Sequence, residues 1–279
     1  MKKPQISIHA PKALKPQSSS EFGFFLAGLI DSDGYISQNE IKITFHTKDK
    51  SVAYYVKKMI GYGSVVQIKN KPAVNYICEK KQGLIILANL VRNKLKDFSK
   101  IDQFNLQLTK KLSCEKTNYV QRSLDQNHWL SGFLQGSGNL QIKQISNANT
   151  TLNFACRQTL RDTQSCGKGE SKLVVQINHK MDTLLNLIKT EFGGYVGHDQ
   201  MKNTFYYSSV NFRSASKFIQ YLDRYQLMGS NLTAYWLWRK AYLLVQNRLH
   251  LTEAGSRKIA FKKAMLSQFR SFANKKGLN

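Results

Sequence analysis

Acidic residues are scarce in this chain of 279 residues. Asp and Glu number 17 against 42 Lys and Arg, which gives a formal net charge of +25. An excess of this size favours a polyanionic partner over an ordinary solvated surface. No basic amphipathic helix with a clean apolar face stands out, so nucleic acid fits the charge better than an anionic membrane surface does.

Long apolar runs and paired cysteines are also missing. The sequence has no stretch of 18 or more apolar residues, which argues against a membrane span. Its four cysteines and six histidines are scattered, without the C-x-x-C spacing that zinc ribbons and fingers need. We therefore expect free thiols in a reducing compartment and no structural metal.

Proline is rare outside the first 20 residues, where Pro4, Pro11 and Pro16 lie. That segment has four lysines and no acid, and it lacks both the apolar core of a signal peptide and the arginines of a typical transit peptide. Because proline interrupts helices, residues 1–20 are predicted to form an extended basic arm. Its candidate nucleic-acid contacts are Lys2, Lys3, Lys12 and Lys15.

An internal repeat organises the rest of the chain. Residues 26–34 read LAGLIDSDG and residues 130–138 read LSGFLQGSG, with the same spacing of glycines. After each motif the periodicity predicts two strands, a helix, two strands and a closing helix. The pattern divides the chain into a first repeat at 21–124, a second repeat at 125–228 and a basic helical extension at 229–279.

Small residues inside the motif helices need a physical reason, because glycine in a helix costs about 1 kcal/mol relative to alanine. A face of small residues lets two helix backbones pack closely, and the ends of both helices would then approach one point. We therefore predict a repeat interface across a pseudo-two-fold axis, formed by Ala27, Gly28, Ser131 and Gly132.

The first motif resembles that of the LAGLIDADG homing endonucleases, with eight of nine letters in common. The resemblance extends over nearly the whole chain, including the second motif, both strand–helix units and the C-terminal segment HLTEAGSRKI. It implies an α+β fold of two pseudo-symmetric αββαββα repeats, whose two antiparallel sheets form a saddle over a duplex. It also implies a monomeric protein of the organellar, intron-encoded type.

In that family the eighth residue of each motif is a metal-binding acid, and here those positions are Asp33 and Ser137. The sixth position is Asp31 in one repeat and Gln135 in the other. Two carboxylates could hold Mg²⁺ at a scissile phosphate, whereas a serine hydroxyl is a neutral and poor ligand. We expect Asp33 to be a catalytic remnant and a weak metal ligand if any, with Mg²⁺ a cofactor only if the chain is catalytic.

Polar residues that alternate with apolar ones along the predicted strands are candidates for contact with a groove or a backbone. For any single residue the alternative is an ordinary solvated strand face. A basic Gly/Ser loop in the second repeat adds Lys168, which could reach phosphate. The candidates are Lys42, Thr44, His46, Lys69, Lys71, Gln141, Lys143, Arg157, Lys168, Lys172, Gln176 and Asn178.

Two functions of different classes follow. The favoured one is a catalytically impaired protein that binds structured RNA, either ribosomal RNA as a structural component of a particle such as the mitochondrial ribosome, or group I intron RNA as a maturase. A missing acid costs nothing there, and the charge suits a large, irregular phosphate surface. The alternative is a Mg²⁺-dependent endonuclease that cleaves or nicks a long DNA target; a non-cutting DNA binder is a third possibility. The Lys- and Asn-rich composition is typical of a mitochondrial or other organellar reading frame.

Overall fold

The computed structural model describes residues 5–12, 14–145, 170–209 and 211–270. Two units of similar architecture follow one another along the chain. In the first unit, the last two short helices, Phe98–Gln103 and Thr109–Leu112, are joined by a π-helical stretch, Phe104–Leu108. Its helices are α1 Ser19–Asp33, α2 Lys50–Ile60, α3 Lys81–Val91, α4 Phe98–Gln103 and α5 Thr109–Leu112, and its strands are β1 Gly34–Ile36, β2 Ile41–His46, β3 Ser64–Gln67 and β4 Ala73–Cys78.

The second unit repeats the order of elements and is followed by two long helices. Its helices are α6 Trp129–Ser137, α7 Asp182–Phe192 and α8 Phe212–Arg224, and its strands are β5 Gly138–Ile145, β6 Glu170–His179, β7 Tyr195–Asp199 and β8 Thr204–Ser208. The two helices that follow are α9 Gly229–Gln246 and α10 Glu253–Arg270. Within the described ranges, no helix is long and apolar enough to cross a membrane.

The two sheets have the same topology. Their strand orders are β1-β2-β4-β3 and β5-β6-β8-β7, and every neighbouring pair is antiparallel. The last glycine of each motif begins the first strand of its sheet, Gly34 opposite Ile43 and Gly138 opposite Ile177. The predicted α+β fold of two pseudo-symmetric repeats is therefore confirmed.

Each sheet has one face under helices and one polar face. In β2 the buried residues Ile41, Ile43 and Phe45 alternate with partly exposed polar ones, because side chains along a strand point to opposite faces in turn. Helix α2 covers the apolar side with its own buried stripe. Its C-cap is Gly61, whose φ of +80° lies in the left-handed region, which glycine adopts without strain because it has no Cβ. The polar faces form the surface expected to meet nucleic acid.

Helices α1 and α6 form the centre of the molecule. Every residue from Phe22 to Ile30 is buried, as expected for a helix that is apolar all round. A Cβ added at Gly28 would contact the carbonyl oxygen of Trp129 and lie 2.7 Å from the Phe133 nitrogen. By the pseudo-symmetry, a Cβ at Gly132 would contact the Phe25 carbonyl oxygen. Each glycine therefore packs on the backbone of the other helix.

The other two residues of the predicted interface are also inside the molecule. Ala27 and Ser131 are fully buried. The Ser131 hydroxyl donates to the His128 carbonyl at 2.8 Å, one turn back in its own helix. A serine is thus accommodated in the core because its hydroxyl finds a partner.

Residues 5–12 and 14–18 of the N-terminal segment form no helix or strand, and they lie against the helical side of the protein. Ile6 is buried and exchanges backbone hydrogen bonds with the Gln246 side chain at 2.9 and 3.0 Å. Arg239 donates to the Ser7 carbonyl at 3.0 Å. The Lys15 ammonium lies over the Tyr55 ring, 5.1 Å from its centroid. Lys2 and Lys3 lie outside the described residues, as do Arg157, Lys168 and the predicted Gly/Ser loop.

We expect Gly28→Ala to lower the free energy of unfolding by about 2–3 kcal/mol, because the methyl group meets a backbone carbonyl that cannot rotate away. The gain in helix propensity of about 1 kcal/mol does not offset this. Urea denaturation measures the change. The exposed Asn89→Ala in α3 is the control and should leave the midpoint nearly unchanged; an unchanged midpoint for Gly28→Ala would contradict the packing described above.

Candidate nucleic-acid interface and the motif ends

The C-terminal ends of α1 and α6 meet between the two sheets. The Ser32 and Ser137 hydroxyl oxygens are 2.7 Å apart and share a hydrogen bond. A Cβ added at Gly136 would contact both the Ser32 hydroxyl and the Asp33 carboxylate. The eighth residue of each motif therefore faces the seventh residue of the other, and Ser137 forms a hydroxyl pair with Ser32 where the resemblance implies an acid.

This donor set does not fit a pair of divalent cations held between two acids. Asp33 contributes a carboxylate, whereas Ser137 contributes a neutral hydroxyl that is already hydrogen-bonded to Ser32. Divalent Mg²⁺ prefers charged oxygen ligands in near-octahedral geometry. Across the part of the chain that the structure describes, no group of three or more His, Cys, Asp or Glu could hold a metal ion.

Asp31 connects the two repeats. It is fully buried, and its Oδ2 accepts hydrogen bonds from the Lys96 backbone N–H at 2.8 Å and from the Trp129 indole N–H at 2.7 Å. Burial, together with the negative charge of Asp97, raises the pKa of this carboxyl to about 8 in spite of both hydrogen bonds. Asp31 is thus a structural residue that joins the C-terminal part of α1 to the start of α6.

Gln135 occupies the equivalent position in the second repeat. Its Oε1 accepts from the Met228 backbone N–H at 3.0 Å, as Asp31 accepts from Lys96. The motif position that holds Trp129 in one helix holds Phe25 in the other, and phenylalanine has no N–H to donate. An amide oxygen therefore satisfies the single donor that reaches it, while the Gln135 Nε2 is buried without a hydrogen-bond partner.

Lys100 is a charged neighbour of the site that the sequence does not reveal. Its ammonium donates to the Gly34 carbonyl at 2.8 Å, directly after the first motif. Burial lowers the pKa of Lys100, while Asp97, Asp31 and Asp33 oppose that shift. Lys100 is on α4, outside any motif, and reaches the end of α1 only through the fold. It places a positive charge close to Asp33.

The predicted contact residues of the sheets form hydrogen-bonded rows on the polar faces. In the first sheet the Thr44 hydroxyl donates to Asn75 Oδ1 at 2.9 Å, and Asn75 was not anticipated from the sequence. In the second, Gln141 donates to Gln176 Oε1 at 2.6 Å. Cross-strand pairs of this kind hold their side chains in fixed directions, so the faces present ordered donors and acceptors.

The cationic candidates differ in their surroundings. Lys42 pairs with Glu40 at 3.6 Å and lies over the Tyr35 ring, 5.0 Å from its centroid. His46 Nδ1 accepts from the Lys48 backbone N–H at 3.1 Å, so it also caps the turn after β2. Lys12 and Lys15 are on the helical side, away from the polar faces. The exposed or partly exposed members on strands and in the β3–β4 turn are Lys69, Lys71, Lys143, Lys172 and Asn178.

Comparison with protein families agrees with this architecture. The model described as "LAGLIDADG-like domain" matches residues 23–90, and the model described as "LAGLIDADG endonuclease" matches residues 130–242. Each match contains one of the two motifs. The chain belongs to the LAGLIDADG endonuclease family.

Individual relatives are intron proteins of fungi. A cox1 intron-2 37.2 kDa protein of Schizosaccharomyces pombe is 39% identical over 263 residues, which covers 90% of this chain and 74% of that protein. The intron-encoded RNA maturase bI4 of Saccharomyces cerevisiae is 26% identical and covers 74% of this chain. A probable intron-encoded endonuclease 4 of Neurospora crassa is 25% identical over 80% of it. The chain spans only 30% and 38% of the last two proteins.

Solved structures of similar fold include two meganucleases. I-SmaMI bound to an uncleaved DNA target in the presence of calcium ions matches with a TM-score of 0.63 and 21% identity, over 87% of this chain and 97% of that one. I-CpaMI bound to uncleaved DNA matches with a TM-score of 0.59 and 16% identity, over 87% and 98%. At these identities the likeness establishes the fold.

We expect Asp31→Asn to flatten the pH dependence of stability. Since the folded pKa of about 8 lies above the ordinary 3.8, the folded chain holds a proton that the unfolded chain has released, and this group's contribution falls as pH rises through that window. The loss between pH 5 and 8 should shrink by on the order of 3 kcal/mol. Urea unfolding at both pH values tests this, with the exposed Asp102→Asn as control; equal slopes for Asp31→Asn and wild type would refute it.

A second prediction concerns the missing acid. We expect Ser137→Asp to create a divalent-cation site, because its carboxylate would join that of Asp33 between the helix ends. Millimolar Ca²⁺ should then raise the thermal unfolding temperature of the variant by a few degrees. Wild type and the uncharged, equally large Ser137→Asn should not respond. A Ca²⁺ response as large in wild type would show that the hydroxyl suffices.

Proposed function

We propose that this chain is a nucleic-acid-binding protein that holds a structured intron RNA, as a maturase does, and that its cleavage of double-stranded DNA is impaired. One observation carries the proposal. The motif ends bear one acid, Asp33, beside the hydrogen-bonded pair Ser32–Ser137, whereas the polar faces of both sheets carry cross-strand pairs of hydrogen-bonding side chains. This contrast supports binding over cleavage.

The charges and side chains of the chain suit RNA. Proteins recognise helical RNA through phosphates, 2′-hydroxyls and shape, without a catalytic acid. The pairs Thr44–Asn75 and Gln141–Gln176 offer donors and acceptors of the kind that contact sugar and base edges. Lysines such as Lys42 and Lys143 would contact phosphates. The formal charge of +25 supports binding to a large polyanion.

The relatives support the same partner. One of them is described as an RNA maturase and another as a probable endonuclease, and both are intron-encoded. An intron RNA is therefore better supported as partner than ribosomal RNA, which none of the relatives named above mentions. We extend the proposal to localisation: the chain acts in the organelle, most simply the mitochondrion, whose intron encodes it.

A second candidate function is the cleavage or nicking of a long DNA target. The observation that favours it is the retained Asp33, with the Lys100 ammonium bound to the adjacent Gly34 carbonyl. The meganucleases of similar fold are bound to DNA. Slow cleavage of one strand would be the residual activity in this case.

Crosslinking separates RNA from DNA. The tagged chain is irradiated with ultraviolet light in its source cells, purified, and treated with DNase or RNase before the attached nucleic acid is sequenced. We expect reads from one intron RNA that survive DNase and disappear with RNase. Reads from a single DNA locus, lost with DNase, would instead support the second candidate.

Cleavage is tested on the DNA that the purified protein selects from a random duplex library. We expect wild type to leave both strands intact in Mg²⁺, because one of the two motif acids is absent. Ser137→Asp should cleave the same duplexes, while Ser137→Asn should not. Efficient double-strand cleavage by wild type would refute the proposal that its cleavage activity is impaired.

A further inference from the structure

The last two helices carry an unusual excess of positive charge. Between residues 229 and 270 the only acid is Glu253, which pairs with Arg257 at 3.2 Å. One arginine, Arg239, is buried and paired with Asp223 at 2.9 Å. The remaining cations have no acid within their own segment. They are Lys240, Arg248, Lys258, Lys262, Lys263 and Arg270.

Three of these lysines lie together where α9 and α10 pack. Lys240 comes from α9, whereas Lys258 and Lys262 are one turn apart on α10. Lys262 is partly buried, and its pKa is lowered by burial and then by the charges of Lys240 and Lys258. Ammonium groups this close together produce a region of positive electrostatic potential. A bound anion would reduce the repulsion between them.

An aromatic side chain stands among these cations. Phe261 is 63% exposed, and it lies three residues after Lys258 and directly before Lys262. The buried stripe of α10 runs along Gly255, Ile259 and Leu266, so the exposure of Phe261 is a property of the outer surface. An exposed ring beside lysines is the combination on which single-stranded bases stack while the backbone is neutralised.

This surface is separate from the polar faces of the sheets. Gln144 in β5 follows the alternation of the buried Leu140 and Ile142 and therefore points to the helical side. Its amide donates to the Ser256 carbonyl of α10 at 3.4 Å. Helix α10 thus lies on the side of the sheet opposite to Gln141 and Lys143, and nucleic acid on the polar faces would leave the helices accessible.

We propose that Lys240, Lys258, Phe261 and Lys262 form a second nucleic-acid site, which binds the phosphate backbone of a folded RNA and stacks an unpaired base on Phe261. The inference rests on the proposed function, since it assigns a second contact to the same RNA. A rigid duplex on the polar faces would not reach the helical side, whereas a folded RNA with several helices and loops can contact both. The two surfaces together would hold RNA elements in a fixed relation.

Binding assays with matched variants test the site. The probes are a transcribed group I intron RNA folded in Mg²⁺ and a DNA duplex, measured by fluorescence anisotropy over a range of salt. We expect the triple variant Lys240→Gln, Lys258→Gln, Lys262→Gln to bind the RNA about tenfold more weakly, with a salt slope reduced by about 2–3, and to retain DNA binding. The control triple has the same charge change at scattered exposed lysines: Lys58→Gln, Lys81→Gln and Lys189→Gln.

The stacking role has its own readout. Phe261→Ala should weaken RNA binding several-fold without changing the salt slope. Phe261→Tyr keeps an aromatic ring and should bind the RNA as wild type does. Tryptic digestion of the crosslinked wild-type protein should yield an RNA adduct on the peptide of residues 259–262. Thermal unfolding shows whether each variant is folded. We expect unfolding temperatures close to that of wild type, because Lys240, Lys258 and Phe261 are exposed and Lys262 is only partly buried.

The outcomes distinguish this inference from the proposed function. If the α9–α10 triple binds RNA like the control triple, while Lys42→Gln with Lys143→Gln weakens it, the second site is refuted and the proposed function stands. If the α9–α10 triple weakens RNA and DNA equally, the assignment to folded RNA is refuted. If wild type prefers the DNA duplex to the RNA, the proposed function fails and the second site fails with it.

Discussion

The close approach of the α1 and α6 backbones is the constraint on which the rest of the structure depends. Gly28 and Gly132 let each helix lie on the carbonyls of the other, and a side chain at either position would push the repeats apart. Because β1 and β5 start directly where these helices end, the spacing of the helices sets the spacing of the sheets. It also decides which groups meet at the motif ends, namely Asp33 with Gly136 and Ser32 with Ser137.

The sixth and eighth positions of the motif, which hold acids in the first repeat, have different surroundings. The sixth residue serves the core: Asp31 binds two donors and Gln135 binds the one that is present. The eighth residue lies at the helix end, where Ser137 shares a hydrogen bond with Ser32 of the other helix. A serine at the eighth position is thus accommodated with its hydroxyl paired.

Charge is distributed over more of the molecule than the sheets. The polar faces hold ordered neutral side chains with lysines among them, whereas the helical side carries the basic pair α9–α10 and the N-terminal segment anchored to α9 through Arg239 and Gln246. Positive charge on both sides would suit the folded RNA that we propose as the partner.

The sequence by itself determined the repeat, the order of elements and the polar face of β2, since these depend on periodicity and on a glycine pattern that only close helix packing explains. Tertiary structure decided what lies beside Asp33: Lys100 and the Ser32–Ser137 pair come together through contacts between segments far apart in sequence. It also revealed Asn75 as the partner of Thr44 and separated the α9–α10 surface from the sheets. No local pattern encodes such neighbours, because they are fixed by how two whole repeats pack about one axis.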